Sequence, residues 1–99
     1  MSAKHHDIAE TIVYTAATLR FNVITASYKL ESTVNEAVAQ HHRSALKASG
    51  FRSIAEAYRA AIQLAPKHPA VAQWHEDLAA AQTEALFYSE AAAFWIERF

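Results

Sequence analysis

The sequence predicts an all-α protein, an antiparallel bundle of three to four helices, and three observations lead to this fold class. Only one of the 99 residues is glycine, which leaves almost nothing for the tight turns of β-hairpins. Residues that interrupt regular structure are sparse, since besides this glycine there are only two prolines, Pro66 and Pro69. Apolar residues recur at intervals of three and four over long stretches. The length is that of one domain, covering residues 1–99.

The first helix is predicted over about residues 7–31. Asp7 and Glu10 have the spacing of a capping box, in which both side chains satisfy free backbone N–H groups. Apolar residues then follow at helical spacing as far as Leu30. The residues before Asp7 carry no apolar stripe and are expected to fray.

The second helix is predicted over about residues 33–49. Thr33 and Glu36 form another capping box, and Gly50 is expected just past the last turn, where glycine is favoured. The apolar stripe also continues across Ser32 without interruption, so one continuous helix through both segments is an alternative. Two successive spacings of four favour a break near Ser32.

The second half of the chain predicts two further helices, over about residues 53–65 and 69–99. Ser53 and Glu56 form the clearest capping box, and Pro69 is well placed at the start of the last helix. That last helix has a seam that alternates spacings of three and four, which is typical of close packing along a coiled-coil-like contact. The seam residues are Val71, Trp74, Leu78, Ala81, Ala85, Tyr88, Ala92, Trp95 and Phe99.

Composition argues against several classes of function. The formal net charge is −1, whereas a dedicated nucleic-acid-binding domain is expected to be strongly basic. No cysteine, nucleophile elbow or glycine-rich phosphate loop is present, so we expect no catalytic residues, no cofactor and no enzyme. No apolar run is long enough for a membrane span, and a cytoplasmic location is expected.

Six histidines raise the question of a metal site, and their spacing argues against one. No histidine follows a glutamate by three residues, and no two histidines lie four apart. His41 lies on the apolar stripe and is interpreted as a core or interface residue bonded to a neighbour. A metal site assembled between copies of the chain is left open.

Charge is distributed unevenly along the chain. Residues 43–67 contain five basic residues and one acidic residue, whereas residues 76–97 contain five acidic residues and no basic one. Such a pattern indicates either a bipolar surface that orients a partner or two segments that face one another. Mutual neutralisation by solvated pairs is the favoured interpretation.

The aromatic residues of the last helix lead to the functional prediction. Apolar residues near the C-terminus cover more than one side of the helix, which a lone amphipathic helix does not need. We therefore predict a small helical protein–protein interaction module, such as an adaptor, chaperone-like or regulatory protein. It is expected to form homo-oligomers, first of all dimers, or to bind another protein. The candidate interface residues are Trp74, Tyr88, Phe94, Trp95 and Phe99.

A bundle that binds a small apolar ligand or a metal ion in its interior is the alternative. Tyrosine hydroxyls and a histidine ring on apolar stripes are suitable polar groups in such a pocket. The candidate pocket residues are Tyr14, Tyr28, His41 and Tyr58. No nucleic acid and no membrane is expected as a partner.

Overall fold

Three long helices make up the fold in a computed structural model, which describes residues 2–29 and 36–99. They are α1 (Ser2–Lys29), α2 (Glu36–Leu64) and α3 (Val71–Ile96). The described residues outside them form the turn over 65–70 and the last three positions. This confirms the all-α bundle with a long C-terminal helix. The predicted helix end at residue 31 and start at residue 33 lie outside the described residues.

The central helix is α2, and both other helices pack against it in the opposite direction. Glu10, early in α1, bonds to His68, just after the end of α2. His41, early in α2, bonds to Ala92, late in α3. Because α1 and α2 lie side by side and antiparallel, they are not one continuous helix. No Cα atom of α1 comes within 8 Å of a Cα atom of α3, so the backbones of these two helices do not pack directly.

The core is built mainly from alanine. Among the residues whose side chains are described, thirteen apolar ones are buried, and nine of these are alanine. Phe51, Ile54 and Trp74 supply most of the remaining bulk. Short side chains let helix backbones approach closely, but they reach only a short way beyond the contact. Each outer helix therefore packs tightly on α2, while the space between the outer helices is left unfilled.

Gly50 lies in the interior of α2, so the predicted helix end at this residue is wrong. The predicted helices 33–49 and 53–65 are one helix. The reason is packing, because a Cβ atom on Gly50 would lie 2.4 Å from Cγ2 of Val23. The missing side chain makes room for α1 and does not end a helix. The hydroxyl of Ser53, predicted as a cap, donates to the carbonyl of Ser49 one turn earlier.

The outer helix ends also differ from their predicted positions. Helix α1 already begins at Ser2, because its first turns are held by packing of the His6 ring against His68. Helix α3 begins at Val71 and ends at Ile96, inside the predicted range of 69–99. The buried seam residues Trp74, Ala81 and Ala85 all lie on α3, as its periodicity indicates.

We expect Gly50→Ala to lower the free energy of unfolding by about 1–2 kcal/mol, although alanine favours helix by about 1 kcal/mol over glycine. The new methyl group would meet the branched side chain of Val23, whose χ1 is restricted within a helix. Urea unfolding followed by circular dichroism, at equal protein concentration, measures the change.

Val23→Ala in the same chain supplies the control, because it removes the atoms that the new methyl group meets. The double variant should lose less stability than the two single variants together. A Gly50→Ala variant more stable than the original chain would show that close packing is not the reason for glycine at this position.

Candidate functional site

An open groove lies between α1 and α3, with α2 as its floor. It encloses about 720 Å³ and is mostly apolar. Helix α1 contributes five of the lining residues, α2 three and α3 four. They are Ala17, Arg20, Phe21, Ile24 and Thr25 from α1, Phe51, Ile54 and Tyr58 from α2, and Asp77, Ala80, Ala81 and Glu84 from α3.

The floor of the groove is apolar and belongs to the core. Phe51 and Ile54 are almost completely buried, and both belong to the main core cluster. The Phe51 ring stacks on the ring of Tyr88, with 5.8 Å between centroids. Tyr58 is half-buried one turn further along α2 and packs against both core clusters. The floor is thus set by the same packing that holds the helices together.

Exposed aromatic residues extend along both edges of the groove. On α1, Phe21 lines the groove and is 69% exposed, and Tyr14 lies seven residues earlier on the same side of the helix. On α3, Phe87 is 63% exposed and lies three residues after Glu84, with Phe94 seven residues further on. We refer to the groove together with these four aromatic residues as the groove face.

Leu86 and Phe87 are adjacent residues of α3 that point in different directions. Leu86 is 61% exposed, nearly the same as Phe87, but adjacent helical residues point about 100° apart. Leu86 therefore lies away from Ala80 and Glu84, which line the groove, whereas Phe87 lies beside them. Phe87 and Leu86 are thus equally exposed neighbours, of which the first lies on the groove face and the second lies outside it.

Charged side chains of opposite sign face each other across the groove. Nη2 of Arg20 on α1 lies 3.7 Å from Oε1 of Glu84 on α3. The Arg20 guanidinium also lies 5.8 Å from the centre of the Phe51 ring. Helix α1 thus brings a cation to the groove, whereas α3 brings two carboxylates, Asp77 and Glu84.

The hydroxyl group of Tyr58, at the floor of the groove, has a raised pKa. Burial raises the pKa of Tyr58 above its usual value of 10.0, the Asp77 carboxylate raises it further, and Arg20 lowers it. The hydroxyl therefore stays protonated over the whole physiological range and can donate a hydrogen bond within the groove.

His68 fastens α1 to the start of α3 at one end of the molecule. Its ring is 8% exposed and stacks on Trp74, with 4.4 Å between centroids. The backbone N–H of Ala70 donates to Nδ1 at 2.9 Å, so Nε2 carries the proton and donates to Oε2 of Glu10 at 2.6 Å. The His68 clamp, made by these contacts, was not predicted, because nothing in the local sequence pairs Glu10 with a residue so distant along the chain.

His41 makes the corresponding contact at the other end of the molecule. Its Nδ1 lies 2.8 Å from the carbonyl oxygen of Ala92 and donates to it, and its ring meets the edge of Phe99. In the described part of the chain, no group of three or more histidine, aspartate or glutamate side chains has the arrangement of a metal site.

The five predicted interface residues are distributed between core and surface. Trp74 is 4% exposed and belongs to the core of this chain. Tyr88 and Trp95 are half-buried, with Tyr88 stacked on the groove floor. Phe94 and Phe99 are exposed. Only Phe94 of the five is both exposed and on the groove face.

The four predicted pocket residues are not brought together. Tyr58 lines the groove, and Tyr14 is exposed along the edge that α1 forms. His41 lies at the opposite end of α2 from Tyr58. Tyr28 belongs to α1, but its side chain lies outside the described residues. Sequence reasoning missed Phe21 and Phe87, although their seven-residue spacing from Tyr14 and Phe94 was a readable signal.

The basic and acidic segments lie mainly on α2 and α3, which pack against each other. In the described residues, Arg43 and Arg59 lie near glutamates of α2 itself, Glu36 and Glu56. Arg52 reaches α3, where it donates to the hydroxyl of Ser89 at 3.0 Å. Glu84 of the acidic segment pairs with α1 and not with the basic segment.

Comparison with known proteins finds no family model, no curated protein sequence and no solved structure that matches this chain. Within the described residues, no helix has the length and apolar character that are needed to cross a lipid bilayer. Function is therefore inferred from the groove face, its exposed aromatic residues and its charges.

We expect stability to fall as the pH rises above about 10, because the unfolded chain releases the Tyr58 proton at a lower pH than the folded chain. The stabilisation is complete below the unfolded pKa and is lost as the pH rises toward the folded pKa. A Tyr58→Phe variant should lose this part of the pH dependence. Tyrosinate absorbance and urea unfolding across the alkaline range measure both effects.

Glu10→Ala should lower the free energy of unfolding by about 1 kcal/mol, since it removes the charge-assisted bond to His68, discounted for the exposure of Glu10. Glu90→Ala, at an exposed position of α3, is the matched control and should change stability by less than about 0.5 kcal/mol. Equal effects of the two substitutions in urea unfolding would argue against the His68 clamp.

Proposed function

We propose that this chain is a small helical protein–protein interaction module that binds through its groove face and associates with itself. The role is binding and not catalysis, and the groove face is the surface that a partner covers. Its support is an apolar groove with aromatic residues along both edges, the residue types that most often anchor protein interfaces.

The observation that carries this proposal is the amount of surface that the chain leaves exposed. Its accessible area is 6304 Å², whereas a folded monomer of 11.0 kDa is expected to expose about 5,600 Å². The excess, about 700 Å², is close to the ~800 Å² that each partner buries in a standard interface. The proportions agree, since the Cα atoms span 55 × 21 × 14 Å and the radius of gyration is 16.0 Å, against about 13 Å for a compact chain of this length.

In a layer this thin, the core of the chain does not cover the apolar groove face. In a two-layer architecture, the apolar side of each layer is covered by another layer. A second copy brings an equally apolar face of the same length, so stacking two copies completes the second layer. A helix from another protein is a partner of the same chemical kind.

Binding of a small apolar ligand in the groove is the second candidate function. The volume of about 720 Å³ is within the usual range for ligand sites, and the protonated Tyr58 hydroxyl offers one directional contact. This ligand would be amphipathic, with an apolar body over Phe51 and Ile54 and a hydrogen-bond acceptor toward Tyr58.

The test of the proposed function compares two neighbouring exposed residues of α3. Phe87→Ser should weaken self-association about 100-fold or more, because a dimer buries two copies of a side chain worth about 1.5–3 kcal/mol each. Leu86→Ser removes an equally exposed apolar side chain outside the groove face and should leave association unchanged. Sedimentation equilibrium over a concentration series gives the dissociation constants.

Two results would contradict the proposal of self-association through the groove face. One is an original chain that stays monomeric at every concentration. The other is a Leu86→Ser variant weakened as much as Phe87→Ser. A monomer that binds an apolar fluorescent probe, with loss of binding in Phe21→Ser, would favour the ligand-binding function instead.

A further inference from the structure

How two copies are oriented, given the proposed function, depends on the relative direction of the outer helices. Ala16 packs in the same cluster as Ala81, and Arg20 pairs with Glu84, so equal steps along α1 and α3 lead in the same direction. The two edges of the groove face are therefore parallel helices, and Arg20 and Glu84 lie at the same height along them.

Two orientations stack such a face on a second copy with two-fold symmetry and keep the helices of the two copies aligned. If the symmetry axis runs along the helices, α1 of each copy lies over α3 of the partner. If the axis lies across the helices, α1 lies over α1 and α3 over α3. Both orientations cover the apolar groove, so burial of apolar area does not choose between them.

Charge does choose between them. An axis across the helices brings the α1 edges together, each with its Arg20, and brings the α3 edges together, each with Asp77 and Glu84. Where this axis passes at the height of Arg20 and Glu84, like charges meet on both sides. With the axis along the helices, each Arg20 approaches the partner's Glu84 at the same height, and opposite charges meet twice in one dimer.

We infer that two copies form a parallel dimer about an axis along the helices, in which Arg20, paired with Glu84 of its own chain, also approaches the partner's Glu84. The exposed Phe21 ring of each copy then lies at the height of the partner's Phe87, which gives an aromatic contact on each side of the axis. Arg20 is thus a residue that determines which orientation, and which partner surface, the groove face accepts.

A charge exchange tests this orientation. Arg20→Glu alone and Glu84→Lys alone should each weaken the homodimer about tenfold, since two contacts per dimer change from attractive to repulsive. A mixture of the two variants should form heterodimers with an affinity near that of the original chain. On one side the two introduced side chains, which have opposite charge, face each other, and on the other side the unchanged Glu84 faces the unchanged Arg20. Native mass spectrometry counts the heterodimers, and sedimentation equilibrium gives their affinity.

Three controls separate orientation from effects within one chain. Both single substitutions break the chain's own Arg20–Glu84 pair, and mixing does not restore it, so recovery in the mixture reports only on contacts between copies. Arg20→Gln, which adds no repulsion within the chain, should weaken the dimer less and in the same direction. Lys67→Glu makes the same type of charge change outside the groove and should have no effect. Circular dichroism checks that every variant is folded.

Each outcome of the charge exchange either supports or overturns the parallel dimer. Weakened single variants together with heterodimers near the original affinity support the parallel dimer, whereas in the other orientation the single variants associate as tightly as the original chain and the heterodimers associate more tightly. Overturning results are an Arg20→Glu homodimer as tight as the original, or weakened variants that mixing does not rescue. In either of these cases, self-association through the groove face still stands if Phe87→Ser breaks it. An original chain that is monomeric at all concentrations overturns both proposals before any charge is exchanged.

Discussion

The close contact between alanine-lined helix surfaces is the constraint on which the rest of this structure depends. It brings α1 and α3 against α2 with little bulk between them, and Gly50 shows how short the distance becomes, because no Cβ atom fits beside Val23. The same short side chains do not extend far enough for α1 and α3 to close on each other. Tight packing on α2 and the open groove therefore have one cause.

The open groove, which results from the short side chains of the core, is the surface through which we propose that the chain binds a partner. Phe51 and Ile54 lie buried beneath the groove, whereas Phe21 and Phe87 project from its edges. Arg20 and Glu84 add charge of opposite sign to the two edges. Apolar area supplies affinity in such a surface, and the charges supply direction.

How much was predictable from sequence depended on how local each signal is. The seam of α3 was readable because its periodicity lies within one helix, and Trp74, Ala81 and Ala85 are buried as expected. Gly50 was misread, because the reason for a glycine there is Val23, on another helix. The predicted interface residues were aromatic residues of the last helix. One of them, Trp74, is buried in the core, whereas Phe21 and Phe87, which were not predicted, are exposed. The groove depends on how far apart the backbones of α1 and α3 lie, and no stretch of sequence records that distance.

The pairing of Gly50 with Val23 has one more consequence. Alanine side chains are short, so they do little to fix the position of one helix along another. The gap at Gly50, which accepts the branched side chain of Val23, and the bond between Glu10 and His68 both set the longitudinal position of α1 on α2. That position in turn decides which residue of α1 stands level with Glu84. The only glycine in the chain thus helps to determine which charged residues lie level with each other across the groove.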